Sequence, residues 1–193
     1  MCYIKARIGW QRLTKSEYRE NGDYYLVTGT DIKGSTVDFS KCWYVDKERY
    51  EMDENIQLKN GDIIVTKDGT IGKVAMIQNM DKPAVLNSHL FVIRDTSSKL
   101  NNRFLMYILL SKHFKRFIIA NQSQGTIPGL NQEKIIKFKI PIPPIKEQER
   151  IVSILDRFDK LCNDISEGLP AEIEARRKQY EYYRDKLLSF KEQ

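Results

Sequence analysis

The sequence predicts an α/β (α+β) body followed by long amphipathic helices that form a coiled-coil-like arm. Short apolar runs set between turn residues recur through the first half of the chain. Pro141, Pro143 and Pro144 end that pattern, and beyond them apolar residues return at three- and four-residue spacing. The first pattern is that of strands and the last that of helices. Proline lacks a backbone N–H and fixes φ, so the cluster between them forms a stiff joint. The boundary falls there, giving a body over 1–145 and an arm over 146–193. A chain of 193 residues suits one domain with an appendage better than two compact domains.

In chain order, residues 1–60 read as short strands and long polar loops, with Tyr24-Tyr25-Leu26-Val27 between Asn21-Gly22-Asp23 and Gly29. Segments 63–66 and 73–77 flank Asp68-Gly69-Thr70-Ile71-Gly72 and read as a hairpin. A single strand is expected over 84–93 and a helix over 101–120, with Phe104, Ile108, Phe117 and Ile118 on one face and Lys112, Lys115 and Arg116 on the other. After a turn at Gly125, Pro128 and Gly129, Ile136, Phe138 and Ile140 alternate with Lys137 and Lys139 and predict a half-buried strand. The last proline suits the first turn of a helix, and Glu147 and Glu149 follow where the helix dipole favours carboxylates. Ile151, Leu155, Phe158, Leu161 and Ile165 mark one face of that helix. Gly168 and Pro170 interrupt it, and a second helix from Glu172 carries Ile173, Tyr180 and Leu187 at intervals of seven. The arm is expected to present its apolar stripe to another chain in preference to folding on itself.

Charge divides at the joint. Residues 1–145 hold 22 Lys and Arg against 15 Asp and Glu, a net +7, and residues 146–193 hold 10 against 11, a net −1. A basic body suits a polyanionic partner. Cys2, Cys42 and Cys162 are odd in number and lack CxxC spacing, which points away from a disulfide framework or zinc ribbon and toward a reducing cytosol. The longest apolar run, 104–110, is far short of the roughly 20 residues of a membrane span, and no leader pattern precedes Cys2, so a soluble cytoplasmic chain is expected.

Motifs for catalysis are missing. Around Gly69-Thr70-Ile71-Gly72-Lys73, a phosphate loop would need glycine where Lys67 stands and Ser or Thr where Val74 stands. His89 and His113 lie in separate elements without metal-ligand spacing. No metal or cofactor is expected.

The run Thr126-Ile127-Pro128-Gly129-Leu130-Asn131, then Ile140-Pro141-Ile142-Pro143-Pro144, Glu147-Gln148 and Ile151-Val152-Ser153-Ile154-Leu155-Asp156, resembles the end of a target recognition domain in the specificity subunit of type I restriction-modification enzymes. Gly61-Asp62-Ile63-Ile64-Val65-Thr66-Lys67-Asp68-Gly69-Thr70-Ile71-Gly72-Lys73-Val74-Ala75 resembles another signature of that family, and Arg7-Ile8-Gly9-Trp10 its opening segment. With that segment close to Met1, the element preceding it in the family is expected to be missing. The resemblance implies a half-length specificity subunit with one recognition domain and one helical region. Such a subunit binds double-stranded DNA and carries no catalytic groups, while modification (methyltransferase) and restriction subunits supply the chemistry.

Polarity, turn context and the resemblance together nominate DNA-binding residues: Arg12, Lys15 and Lys33; Lys67, Thr70 and Lys73 at the hairpin; Ser88 and His89; and Gln122, Ser123, Gln124 and Thr126. Trp10, Tyr18, Trp43 and Tyr44 are candidates to stack on bases, with filling a core as the competing use. Ile151, Leu155, Phe158, Ile165, Ile173, Tyr180 and Leu187 are expected to form a homodimer or partner interface through the arms, with contacts inside the arm as the competing use. Two such bodies would read a two-part inverted repeat, since residues 146–166 span roughly 30 Å as a helix, close to a DNA turn of about 34 Å. The rival readings are a truncated interaction protein that engages a methyltransferase subunit without reading DNA, and an enzyme with an unrecognised site.

Overall fold

The structure, a computed structural model, describes residues 2–7, 12–123, 128–164 and 170–190. Ten strands and six α-helices are arranged in three layers among these residues. The central sheet has the order β1 (Cys2–Ala6), β10 (Leu90–Asp95), β7 (Ile63–Thr66), β8 (Val74–Met76), all antiparallel. A second sheet has the order β5 (Trp43–Val45), β2 (Tyr24–Val27), β9 (Ala84–Leu86), β6 (Gln57–Leu58), with β2 and β9 parallel. β3 (Ile32–Lys33) and β4 (Thr36–Val37) form a small hairpin, and α1 (Lys47–Glu51) follows β5. Helices α2 (Asn102–Leu110), α3 (Lys112–Asn121), α4 (Gln132–Ile135), α5 (Ile145–Asp164) and α6 (Pro170–Leu187) complete the chain.

β7 reads Ile-Ile-Val-Thr with every residue buried, because its sheet is covered on both faces. Ile63 and Val65 face the helices together with Phe91, Ile93, Val74 and Met76. Ile64, Ala75, Leu90 and Val92 face the second sheet, where Leu26, Val27, Val85 and Leu86 meet them. The alternation is that of side chains along a strand. α2 is buried at six consecutive residues, Phe104 to Leu109, because it lies between the central sheet and α5.

Five expectations change. A strand does precede the Arg7 segment, since five residues suffice for β1 to pair with β10 from Cys2↔Asp95 to Ala6↔Phe91. The single strand over 84–93 is two strands in different sheets, separated by a turn at 87–89. The helix over 101–120 is broken at Ser111, whose Oγ donates to Ile108 O (2.6 Å) and accepts from Phe114 N, closing α2 and capping α3 at once.

The strand expected at Ile136, Phe138 and Ile140 does not form. The N–H groups of Ile136, Lys137 and Phe138 turn back onto Gln132 O, Lys134 O and Ile135 O, so none is left for a ladder. Phe138 instead packs among His113, Phe114 and Phe117 at ring distances of 4.9–5.2 Å, and Ile136 faces solvent.

The arm does not stand free. α5 and α6 pack on each other, and the start of α5 enters the body: Ile151 and Leu155 are core residues, 1% and 0% exposed, against α2. Phe158 stacks on Tyr183 (5.8 Å) and lies 6.5 Å from Tyr180, while Tyr180 and Leu187 pack against the same core. Ile151 and Leu155 are therefore taken by contacts within the chain, while Phe158, Tyr180 and Leu187 stay half-buried. Ile173 is half-buried on α6, and Ile165 lies outside the described residues.

The joint is fixed by Gln148, which is fully buried. Its Nε2 donates to Lys99 O (2.9 Å) and Pro143 O (2.7 Å), and its Oε1 accepts from Asn101 N (2.8 Å). Asn101 in turn caps α2 through its side chain. One turn of helix beyond Ile151 and Val152, Asp156 accepts from Arg103 Nε (2.7 Å) and Tyr107 OH (2.5 Å), and burial followed by this carboxylate pushes the Tyr107 phenol up from its usual value. No helix among the described residues is long and apolar enough to cross a membrane.

Candidate nucleic-acid interface

Three loops meet at one end of the central sheet. The first joins β7 to β8. Thr66 is buried and organises it: its Oγ1 donates to Thr70 O (2.5 Å) and accepts from Lys73 N (2.9 Å), while Gly72 N donates to Thr66 O (3.0 Å). Gly69 and Gly72 have φ of +65° and +82°, in the region that glycine enters without strain. At Gly72 a Cβ would also come within 2.6 Å of Ile118 Cδ1, so a side chain there would force that end of Ile118 on α3 to shift.

The second loop, 87–89, is held by buried Asn87. Its Oδ1 accepts from Ser88 Oγ and His89 N (both 3.1 Å), its backbone N donates to Val27 O (2.9 Å), and its amide meets the hydroxyl of Tyr18. The third loop follows α3. Ser123 N donates to Gly129 O (2.8 Å), and Ser123 Oγ accepts from Gly129 N (2.9 Å).

Lys67 and Asp68 bind the three together. Lys67 N donates to His89 O (3.0 Å), Lys67 O accepts from Leu130 N (2.7 Å), and Asp68 pairs with Gly129 in an isolated bridge. Asp68 Oδ1 lies 2.6 Å from His89 Nδ1.

Thr70, Lys73, Ser88, His89 and Ser123 thus come together from segments far apart in sequence, with Gln122 at the end of α3 beside them. Lys67 belongs to the same cluster but is not a free surface cation. Its ammonium lies 5.8 Å from the centre of the Phe91 ring, and burial lowers its pKa, with Arg12 adding to the shift and Asp68 opposing it. That shift brings Arg12, itself exposed, into the cluster's field. Lys15 opens a 3-10 turn at Lys15–Glu17 and Lys33 lies on β3, both outside the three loops. Gln124 and Thr126 lie outside the described residues.

The aromatic candidates divide. Trp43, 42% exposed on the edge strand β5, lies 5.9 Å from Tyr18, whose hydroxyl meets Asn87. Tyr44 is packed against Tyr25 and under Lys82 (4.9 Å), the core-filling use. Trp10 is outside the described residues.

Asp68, Asn87 and Arg7 escaped the sequence-based choice. Arg7 is buried, its Nε donates to Leu86 O (3.1 Å), and burial followed by Arg49 lowers it to about 10. The Asn-Ser pair at 87–88 was a turn signal inside an apolar segment, and reading it would have exposed both the strand break and Asn87. Nothing in the sequence paired Asp68 with His89.

Residues 6–175 match the family described as the type I restriction modification DNA specificity domain. The EcoR124I/EcoR124II type I specificity subunit of Escherichia coli is 35% identical over 176 residues, covering 91% of this chain and 43% of that protein. The putative type I specificity subunit S.HindORF215P of Haemophilus influenzae is 33% identical over 183 residues, covering 93% and 44%. This chain therefore spans less than half the length of these relatives. Among solved structures, the HsdS subunit from Thermoanaerobacter tengcongensis superposes with a TM-score of 0.63 at 16% identity, over 97% of this chain and 42% of that one. A chain from a structural study of type I R-M system assembly and conformational transition gives 0.65 at 17%, over 97% and 43%. At these identities the solved structures speak to the fold.

Proposed function

The chain belongs to the type I restriction-modification DNA specificity family, and on that premise we propose that its body binds double-stranded DNA and reads sequence through the three-loop cluster. The observation that carries this reading is the convergence of Lys67, Thr70, Lys73, Ser88, His89 and Ser123 on one end of the central sheet. Lysine there meets phosphates and fixes register, while hydroxyl, imidazole and amide groups suit base edges. Exposed Trp43 and half-buried Tyr18 extend the face toward β5. Arg12, Gln122, Gln124 and Thr126 are assigned to the same face, and Lys15 and Lys33 to flanking phosphates.

In this reading residues 1–145 supply the address and residues 146–193 join the chain to its partners. Those partners are modification and restriction subunits, which supply methyl transfer and cleavage in the cytoplasm. The purified chain with S-adenosylmethionine is then inactive and directs target-specific methylation only when the methylating subunits are added.

Pairing of two copies through the arms is part of the same proposal. With Ile151 and Leu155 taken into the core, the face left for it is the side of the α5–α6 hairpin on which Tyr182 is exposed. Sedimentation tests it: Tyr182→Asp is expected to shift a dimer toward monomer, and a wild type that stays monomeric at tens of micromolar removes the pairing.

The central test is duplex binding across a salt series. Neutralising several phosphates makes log affinity fall linearly with log salt. Flat salt dependence and no enrichment from a random-sequence pool would remove the DNA-reading function.

A further inference from the structure

We propose that His89 reads a base, with Asp68 setting its ring so that Nε2 is a hydrogen-bond acceptor aimed at an exocyclic amino group, adenine N6 or cytosine N4. The proposal rests on the DNA-reading function above and assigns one contact within it.

His89 is constrained from three sides. Its backbone O accepts from Lys67 N (3.0 Å), its backbone N donates to Asn87 Oδ1 (3.1 Å), and its Nδ1 lies 2.6 Å from Asp68 Oδ1. Asp68 is itself held by its bridge to Gly129 and by the neighbouring Leu130 N to Lys67 O bond. Yet the His89 side chain remains 50% exposed, and no described residue bonds Nε2. One nitrogen is committed to the protein and the other is offered outward.

A carboxylate accepts and does not donate, so when the ring is neutral its proton sits on Nδ1 and the lone pair on Nε2. In the major groove the donors facing such an acceptor are the amino groups of adenine and cytosine. A phosphate oxygen offers the neutral ring nothing to accept, and exposed Lys73 in the adjacent loop serves that purpose. Because the ring is already oriented, little side-chain entropy is lost on contact.

The test uses the full chain, random-sequence duplex pools and an isosteric pair of variants. His89→Asn keeps an amide donor where Nδ1 stands, and so keeps the tie to Asp68, but deletes Nε2. His89→Gln keeps a polar atom near Nε2 and gives up the tie. His89→Asn is expected to lose roughly tenfold discrimination at one base position, within the range of a good base contact. Preferences elsewhere and the thermal unfolding midpoint stay as in the wild type. Deleting the amino group at that position, with purine for adenine or 2-pyrimidinone for cytosine, should weaken the wild type to a similar degree and leave His89→Asn unchanged. An unaltered base profile for His89→Asn, an even loss at all positions, or wild-type indifference to the base lacking the amino group would each overturn the assignment while leaving DNA reading in place. A wild type that enriches no sequence overturns the function and this contact with it.

Discussion

The joint between body and arm and the three-loop cluster are both knit by side chains that bond across segments, but they do so in opposite solvent. At the joint, Gln148 is fully buried and its amide makes three bonds to backbone atoms of two different segments. At the cluster, Asp68 and His89 make one strong contact with half of the His89 side chain in water. A buried polar group must spend all its valences on the protein, because an unpaired one costs the full desolvation penalty. An exposed one keeps valences for a ligand. The joint therefore specifies structure, and the cluster has capacity left for recognition.

The largest effect is expected at Gln148. Gln148→Leu leaves Asn101 N, Lys99 O and Pro143 O without their partner, and a loss of about 4 kcal/mol in urea unfolding is expected from penalties of roughly 1–3 kcal/mol per buried group. Leu155→Ala removes a fully buried side chain between α5 and α2 and should cost about 3 kcal/mol by the same measurement. Gly72→Ala tests the cluster's own architecture. A positive φ and a 2.6 Å approach to Ile118 Cδ1 predict a loss of about 2 kcal/mol together with weakened DNA binding.

Lys73→Ala sharpens the contrast from the other side. Stability should change by less than about 0.5 kcal/mol, as for other exposed positions. Affinity should fall across all sequences, and the salt slope should drop by about one unit. If Lys73→Ala unfolded the protein while Gln148→Leu did not, the division of labour between the two regions would be reversed.

What could be read from the sequence follows the range of the physics involved. The β7–β8 hairpin was legible because its apolar runs and glycines act within a dozen residues. So was α5, whose acidic first turn and apolar stripe are local. The strand predicted at Ile136, Phe138 and Ile140 failed because alternation reports only which residues are covered. Phe138 is covered by the rings of α3 and not by a sheet. The free arm failed for a similar reason: the stripe of Ile151 and Leu155 was read correctly, but what covers it, α2, lies about fifty residues earlier. Lys67, Lys73, Ser88 and His89 were legible as polar residues at turns. That Lys67 is half-buried over Phe91, and that Asp68 holds the His89 ring, depends on loops converging across a sheet, which no single segment encodes.

The pairing of β1 with β10 has a consequence for how the molecule is made. Cys2 must find Asp95, and β2 must find β9 in parallel, before either sheet can close. Closure entropy in such non-local topologies is met before the contacts repay it, which slows folding. During synthesis the Ile-Ile-Val run of β7 leaves the ribosome before the strand β10 that flanks it and well before the helix carrying Leu155 that seals the layer above. β1 thus waits for its neighbour, and the apolar run of β7 stays uncovered until β10 and the helix above it have been made.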